Sequence, residues 1–410
     1  MDKTNIIKLP PQIQRAFDIF FSGGYEAYIV GGCIRDSLMS KKPHDWDMAT
    51  DALPTQVRDI FYSYKTIDTG LKHGTVTVII DGVNIEITTF RTESGYSDAR
   101  RPDSVEFSRS IEEDLSRRDF TVNAMAYSPR AGIIDLFSGK GDLERGLIRC
   151  VGDESQRFSE DALRIMRAFR FSAQLGFEIE GNTLNAAALC RERLKKIAPE
   201  RISGELVRLL SAPAPSGALA QMTNCGVLKV IAPDFAANDV DKGYFAAVDR
   251  AAPEVSTRAA LLLRCLPPDK AVGTLEALRF DKQTVRTAER LLDENRRMPP
   301  DTPPALRRLL SRCGERTGRA AVDFLIASGK LREAADTELE RILSACECYN
   351  IKCLAISGSD LEAIGVPLTR DMGCMLEYLL ECVLDTPSLN DRAILLDMAQ
   401  KKMKGITADF

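Results

Sequence analysis

Histidine is almost absent from this chain. Two of the 410 residues are histidines, His44 and His73. That excludes any module built on several histidine ligands and disfavours catalysis through a remote histidine base. Long apolar runs are missing as well: stretches such as Ala259–Leu263 fall far short of the roughly 20 residues a membrane span needs. The opening Met1-Asp2-Lys3-Thr4-Asn5 has no basic-then-apolar leader pattern, so a cytoplasmic protein with no membrane partner is expected. The 11 cysteines show no C-x₂-C pairs, and no histidine follows the densest group, Cys346, Cys348 and Cys353. In a reducing compartment most are expected to be small buried apolar residues. Positive charge is not in excess either. At a net charge of −4, a polyanion-binding surface must gather its basic residues on one face. Internal repeats and low-complexity tracts are lacking too.

What is present is a globular composition, 44% hydrophobic and 28% charged, long enough for two to four domains. Residues 1–143 read as mixed α/β. A helix is expected over Pro11–Phe21, then a strand over Ala27–Val30, the pair Gly31-Gly32, and a short helix to Met39. Strands over Thr75–Ile80 and Asn84–Thr89 flank the hairpin turn Asp81-Gly82. Residues 91–117 are polar and poorly periodic and read as a long loop. Beyond residue 144 the pattern turns helical, with helices expected over Ser159–Leu175, Asn182–Lys195 and Glu200–Leu210. Ala212-Pro213-Ala214-Pro215 reads as a linker. The expected division is a catalytic head at 1–143, a neck at 144–212, a body at 213–300 and a tail at 301–410.

Three features carry chemistry. Gly31-Gly32 between strand and helix allows close backbone approach, the helix N-terminus offers N–H groups to a phosphate, and Arg35 adds a charged fork. Taken alone, such a turn is commonly only a turn. Asp45-Trp46-Asp47, if extended, puts both carboxylates on one face, where they repel unless a cation lies between them. Oxygen ligands of that kind suit Mg²⁺. Glu86 alternates with Asn84 and Thr88, opposite Ile85 and Ile87; it is either an exposed strand glutamate or a third carboxylate completing the metal site.

Four motifs then recur in one order: Gly31-Gly32-x-x-Arg35-Asp36 with Asp45-x-Asp47; Arg117-Arg118-Asp119-Phe120-Thr121-Val122-Asn123-Ala124; Glu160-Asp161-x-x-Arg164-x-x-Arg167-Ala168-x-Arg170-Phe171; and Glu200-Arg201-Ile202 with Glu205-Leu206. In these the chain resembles the class II nucleotidyltransferases, which include CCA-adding enzymes and bacterial poly(A) polymerases. The resemblance implies an α+β fold: a polymerase-beta-like α/β head followed by an elongated all-α neck, body and tail. It implies transfer of CMP, CMP and AMP from CTP and ATP to the tRNA 3′ end without a nucleic-acid template, by two-metal catalysis with Mg²⁺ on Asp45 and Asp47. Glu86 joins these as the third acid. Gly31, Gly32, Arg35, Arg118, Asp119, Asn123, Asp161, Arg164, Arg167 and Arg170 surround the incoming nucleotide.

The Asp161/Arg164 pair also has a physical rationale. ATP and CTP both present an amino donor beside a ring-nitrogen acceptor, whereas GTP and UTP present the reverse. A carboxylate only accepts and a guanidinium only donates, so one pair reads A and C in a single pose. The expectation is that both sit three apart on one helix; the bland alternative is a salt bridge between them. Residues Arg91–Glu113, with Tyr96, Asp98, Arg100-Arg101-Pro102-Asp103 and Phe107, resemble the family's flexible loop, which enzymes adding only CC lack. Ile356–Leu361 with Gly365, Gly373 and Leu376–Leu384 resembles the family's shorter bacterial tail, without its glycine-rich turn near 369–371. Arg191, Arg193, Lys195 and Lys196 supply a basic stripe for tRNA or else a solvated helix end. Two histidines leave no room for the histidine-rich phosphohydrolase domain of longer relatives, and no obligate protein partner is evident. The rival readings are an A-adding partner of a split system, a poly(A) polymerase, and an inactive RNA-binding homologue.

Overall fold

The computed structural model describes residues 7–70, 74–94, 104–235, 240, 243–368 and 370–404. It divides into two compact units, residues 1–237 and 238–410. The first opens with α1 (Pro11–Ser22), β1 (Ala27–Val30), α2 (Gly32–Leu38), β2 (Trp46–Thr50) and α3 (Pro54–Ile60). It continues through β3 (Lys65–Gly70), β4 (Thr75–Ile80), β5 (Val83–Thr89), β6 (Arg91–Ser94), β7 (Ser104–Phe107) and α4 (Ile111–Ser116). Next come β8 (Ala126–Ser128), β9 (Gly132–Ile134), α5 (Gly139–Arg145) and β10 (Leu147–Ile148). The helical part holds α6 (Glu154–Glu160), α7 (Leu163–Leu175), β11 (Glu178–Ile179), α8 (Gly181–Cys190), α9 (Pro199–Leu210), α10 (Ser216–Asn224) and α11 (Val227–Ile231).

Seven strands form one sheet in the order β3-β4-β5-β2-β1-β8-β9. Only β2 and β5 pair in parallel; the other neighbours are antiparallel. One face is sealed by a core of Phe17, Phe20, Ile29, Met48, Phe61, Val76, Val78, Ile85 and Ile87. The other face carries a smaller cluster of Tyr28, Val30, Ala49, Phe90, Ile111, Leu115 and Ala126, through which α4 packs on the sheet. Asp47 and Glu86 lie exposed on that same face, and the candidate site lies there. The β4–β5 hairpin turns through Asp81 and Gly82, both at positive φ (47° and 79°), as the sequence signal indicates.

Three expectations are corrected. Residues 91–117 are not one irregular loop: β6 and β7 pair as an antiparallel ribbon, and α4 follows, N-capped by Ser110. Tyr96, Asp98 and Arg100–Asp103 lie outside the described residues. The helix expected over 159–175 is broken at Asp161, whose backbone is extended (φ −137°, ψ 103°) between α6 and α7. Of the 11 cysteines, only Cys33, Cys150 and Cys348 are buried, and Cys346, Cys353 and Cys374 are exposed; all are free thiols.

In the second unit the described elements are helical. The longest helix, Pro303–Ala327, contains a non-helical residue at Gly314. Helices Arg370–Asp385 and Arg392–Met403 close a core with Leu361, Leu379, Val383, Leu395 and Met398. Among the described residues no helix is long and apolar enough to cross a membrane.

Candidate active site

The register of β2 and β5 sets Asp47 directly opposite Glu86. Strand alternation sends Trp46, Met48, Ile85 and Ile87 into the core and leaves both carboxylates on the open face. Asp45 lies one residue before β2, two residues from Asp47 and likewise exposed. Asp47 is open to solvent by area yet crowded by protein on its other sides, so it sits in a recess. That crowding, then the charges of Glu86 and Asp45, push its carboxyl up to about 6, while Arg118 opposes the shift.

These donors suit Mg²⁺. They are oxygens, and their mutual repulsion is what a bound cation relieves. Cys33, behind Asp47, is no competitor as a ligand. Its thiol is pushed up to about 12 by burial and by Asp47, and it donates to the Val30 carbonyl at 3.3 Å. Among the described residues no three His, Cys, Asp or Glu side chains form a metal cage, so Glu86 adjoins Asp47 without closing one. Mg²⁺ is commonly held by one or two carboxylates, with water and phosphate oxygens completing its shell.

Gly31 joins β1 to α2 with φ +79° and ψ −132°, a conformation open to glycine. A Cβ there would lie 3.1 Å from Arg118 Nη1. Arg118 thus reaches from the C-terminal end of α4 to the glycine turn. Its Nη2 donates to Asp114 at 3.0 Å, and Arg117 donates to the other oxygen of Asp114 at 2.6 and 3.0 Å. Asp114 is wholly buried. Burial works to raise its pKa, and the guanidiniums of Arg118 and Arg117 overcome that and hold it below the ordinary value.

A second set of contacts joins the head to α7. Arg35 donates to Asp36 at 2.8 and 2.9 Å and to Asn123 Oδ1 at 2.6 Å. Asn123 donates to Asp119 at 3.3 Å, and Asp119 receives Arg167 Nε at 2.7 Å. Burial would raise the Asp119 carboxyl, but Arg167 prevails and holds it at about 2. Arg35 and Arg167 each lie 5.3 Å from the ring of Phe171, and Arg170 stacks on it at 3.9 Å. Arg170 is also ion-paired with Glu205 at 2.6 Å and is nearly buried.

Asp161 and Arg164 are brought into the same region, but no ion pair among the described residues joins them. Asp161 Oδ1 accepts from Leu163 N at 3.0 Å and Oδ2 from Arg201 at 3.1 Å. Arg164 donates to Glu160 at 2.7 Å and to the carbonyls of Arg117 and Arg157 at 2.9 and 3.2 Å. The bland alternative, a mutual salt bridge, is therefore not what forms. In the basic stripe, Arg191 and Lys195 both pair with Glu192.

Sequence reasoning missed Asp114 and the linkage of Arg201 to Asp161. The first was findable. Ser110-x-x-Glu113 is a capping signal for a helix whose fourth residue is Asp114, three and four positions before the two arginines. The second spans 40 residues and has no local signal.

Comparison with known proteins agrees with this geometry. Residues 27–149 match the model of the poly A polymerase head domain, and residues 176–238 that of the probable RNA and SrmB- binding site of polymerase A. A CCA-adding enzyme of Limosilactobacillus fermentum is 38% identical over 386 residues, 93% of this chain and 94% of its own length. One from Lactobacillus johnsonii is 53% identical over 204 residues, 50% of this chain and 51% of its own. The crystal structure of the Bacillus stearothermophilus CCA-adding enzyme in complex with CTP superposes with a TM-score of 0.79 at 31% identity, covering 97% of this chain and all of that one. With a similarity that runs the length of both sequence and structure, the chain belongs to the CCA-adding enzyme family of nucleotidyltransferases.

Proposed function

We propose that this nucleotidyltransferase completes tRNA 3′ ends in the cytoplasm, with its chemistry on the open face of the head sheet and its choice of base at the α6–α7 break. The observation that carries the reading is the in-register pair Asp47–Glu86, with the Asp47 carboxyl pushed up to about 6 beside Arg118. Asp45 and Asp47 would hold Mg²⁺. Bound there, it would lower the pKa of the attacking 3′-hydroxyl and stabilise the leaving pyrophosphate. No protein base is then required, which suits a site whose functional side chains are carboxylates and guanidiniums.

Gly31 and Gly32 admit the triphosphate close to the backbone, and Arg118 faces it from α4. Arg35, Asn123, Asp119 and Arg167 form a linked set beside the ribose and phosphates. Arg167 keeps a third of its side chain exposed, so it can touch the nucleotide. Arg170, held by Glu205 and Phe171, orients its neighbours. Asp161 and Arg164 read the base edge. Each is steadied by other partners, so neither is consumed by the other, and a base offering a donor beside an acceptor satisfies both. GTP or UTP would leave buried groups unpaired.

The test supplies Mg²⁺, CTP and ATP to tRNA transcripts ending at the discriminator base, after one added C and after two, alongside an unstructured oligonucleotide. Growth of the shortest transcript to CCA followed by a stop supports the reading, and Asp45→Ala must abolish it. Extension only of the transcript already ending in CC would make this an A-adding enzyme. Long A tails on the oligonucleotide would make it a poly(A) polymerase.

A further inference from the structure

Helix α4 is only six residues long, yet it touches both ends of the candidate nucleotide site. Ile111 and Leu115 fasten it to the sheet through the same apolar cluster as Ala49, two residues along β2 from Asp47. On its buried side Asp114 divides its two oxygens between consecutive arginines. Oδ1 takes Nε and Nη2 of Arg117, and Oδ2 takes Nη2 of Arg118. Arg118 then runs to the Gly31 turn, close enough to Asp47 to influence its charge, and its Nε is buried without a partner. The last carbonyls of a helix have no partner within it. In α4 these accept side chains from the base-reading segment: Ser116 O takes Arg157 Nη1 at 3.2 Å, and Arg117 O takes Arg164 Nη2 at 2.9 Å. One turn of helix thus fixes a guanidinium beside the acidic residues and a guanidinium beside Asp161. The apolar residues already hold α4 in place. A buried ion pair adds little net stability, while losing one partner leaves a charge stranded.

We propose that Asp114 is a positioning residue for nucleotide transfer, aiming Arg118 at the triphosphate and keeping the last turn of α4 under Arg157 and Arg164. This rests on the reading that Arg118 and Arg164 serve the nucleotide.

The test is a double-mutant cycle on the full chain, with thermal midpoints recorded for every variant. Asp114→Asn keeps the size of the side chain but loses its charge and turns an N–H donor toward a guanidinium. It should lower kcat/KM for CTP on a tRNA lacking its CCA end by about 10–100-fold, the range of a lost charge-assisted hydrogen bond, and lower the thermal midpoint by several degrees, since Arg117 and Arg118 lose their shared carboxylate. In an Arg118→Ala background the same substitution should change kcat/KM by clearly less than in the wild-type background, because the route through Arg118 is already gone. Effects that multiply in full would overturn the proposal, as would wild-type kcat/KM in Asp114→Asn. Asp114→Glu keeps the charge and shifts the guanidinium by one methylene, so it serves if the Asn variant does not fold. A purely structural role leaves its kcat/KM at the wild-type value, and a positioning role lowers it. CTP binding by calorimetry without tRNA forms a separate arm. Should the wild type bind CTP and transfer nothing, the transfer reading fails, while weaker binding in Asp114→Asn still supports the positioning role and unchanged binding refutes it.

Discussion

Replacing either glycine of the Gly31-Gly32 pair by alanine separates what the fold needs from what the reaction needs. At Gly31 the backbone has φ +79° and ψ −132°. An L-residue held in such a region costs about 1–3 kcal/mol. The new methyl also meets Arg118 Nη1 at 3.1 Å, tighter than an ordinary contact, so the guanidinium must shift. At Gly32 the φ is ordinary, α2 has begun, and the nearest atom to an added methyl is Arg35 Nη2 at 3.5 Å. Alanine there carries no strain and removes unfolded-state entropy, so stability holds or rises by about 0.4–1 kcal/mol. For a unit of this size, roughly 2–4 °C per kcal/mol puts Gly31→Ala about 2–12 °C below wild type in thermal midpoint. Gly32→Ala should keep its midpoint and lose CTP affinity, because the methyl occupies the approach to the triphosphate. Thermal unfolding and CTP titration on the two variants decide the matter. A Gly31→Ala protein as stable as wild type would refute the backbone argument. A Gly32→Ala protein with wild-type CTP affinity would refute the close-approach argument.

Other expectations follow from the charges. Because the Asp47 carboxyl is raised to about 6, its ionisation opposes folding, so stability attributable to it declines as pH rises from about 4 to 6. Asp47→Asn should flatten that limb and abolish transfer. Mg²⁺ should raise the thermal midpoint of the wild type more at pH 7 than at pH 4.5, and EDTA should reverse the gain. Asp119 shifts the opposite way. Its folded pKa of about 2 means that the stability from its pair with Arg167, on the order of 2–3 kcal/mol, is complete above about pH 4 and lost as pH falls through 2. Acid denaturation of Asp119→Asn should lack that component; an unchanged acid limb would refute the pairing. Asp161→Asn can turn an N–H toward the base, so UTP incorporation relative to CTP should rise at least tenfold, measured by competition on one tRNA.

Much of the head is legible because its signals are local. The run Ala27–Val30 is a strand with the expected bounds, as is Thr75–Ile80, and Asp81-Gly82 turns the hairpin. The alternation that buries Ile85 and Ile87 is the same fact that exposes Glu86. Its register against Asp47 is a long-range property of a parallel pair, which periodicity does not supply. The break at Asp161 escapes a periodicity reading because Phe158, Ala162 and Ile165 continue the buried pattern across it. The carboxylate of Asp161 accepts the Leu163 N–H, a local side-chain bond that competes with continuing the helix. Read as a cap, Asp161 ends one helix and begins another.

The arginines show why motif and role come apart. Arg157, Arg164, Arg167 and Arg170 differ little in their local sequence, spaced through two successive helices. Each also has an acceptor from far along the chain: the Ser116 and Arg117 carbonyls, Asp119 and Glu205. A guanidinium has five donors and no acceptor, so its role depends on which donors the protein leaves unspent. Arg170, its stacking face on Phe171 and its Nε against Glu205, has little left for a ligand, whereas Arg167 keeps a third of its side chain in solvent. The two should therefore separate kinetically. Arg167→Ala should raise KM for CTP and ATP, and because it takes from buried Asp119 its main partner it should also lower the thermal midpoint by several degrees. Arg170→Ala leaves Glu205, 5% exposed, with the longer 3.7 Å contact to Arg208, and should lower the midpoint by several degrees. Equal KM effects in the two variants would mean that the packing around Phe171 does not govern how these arginines divide their roles.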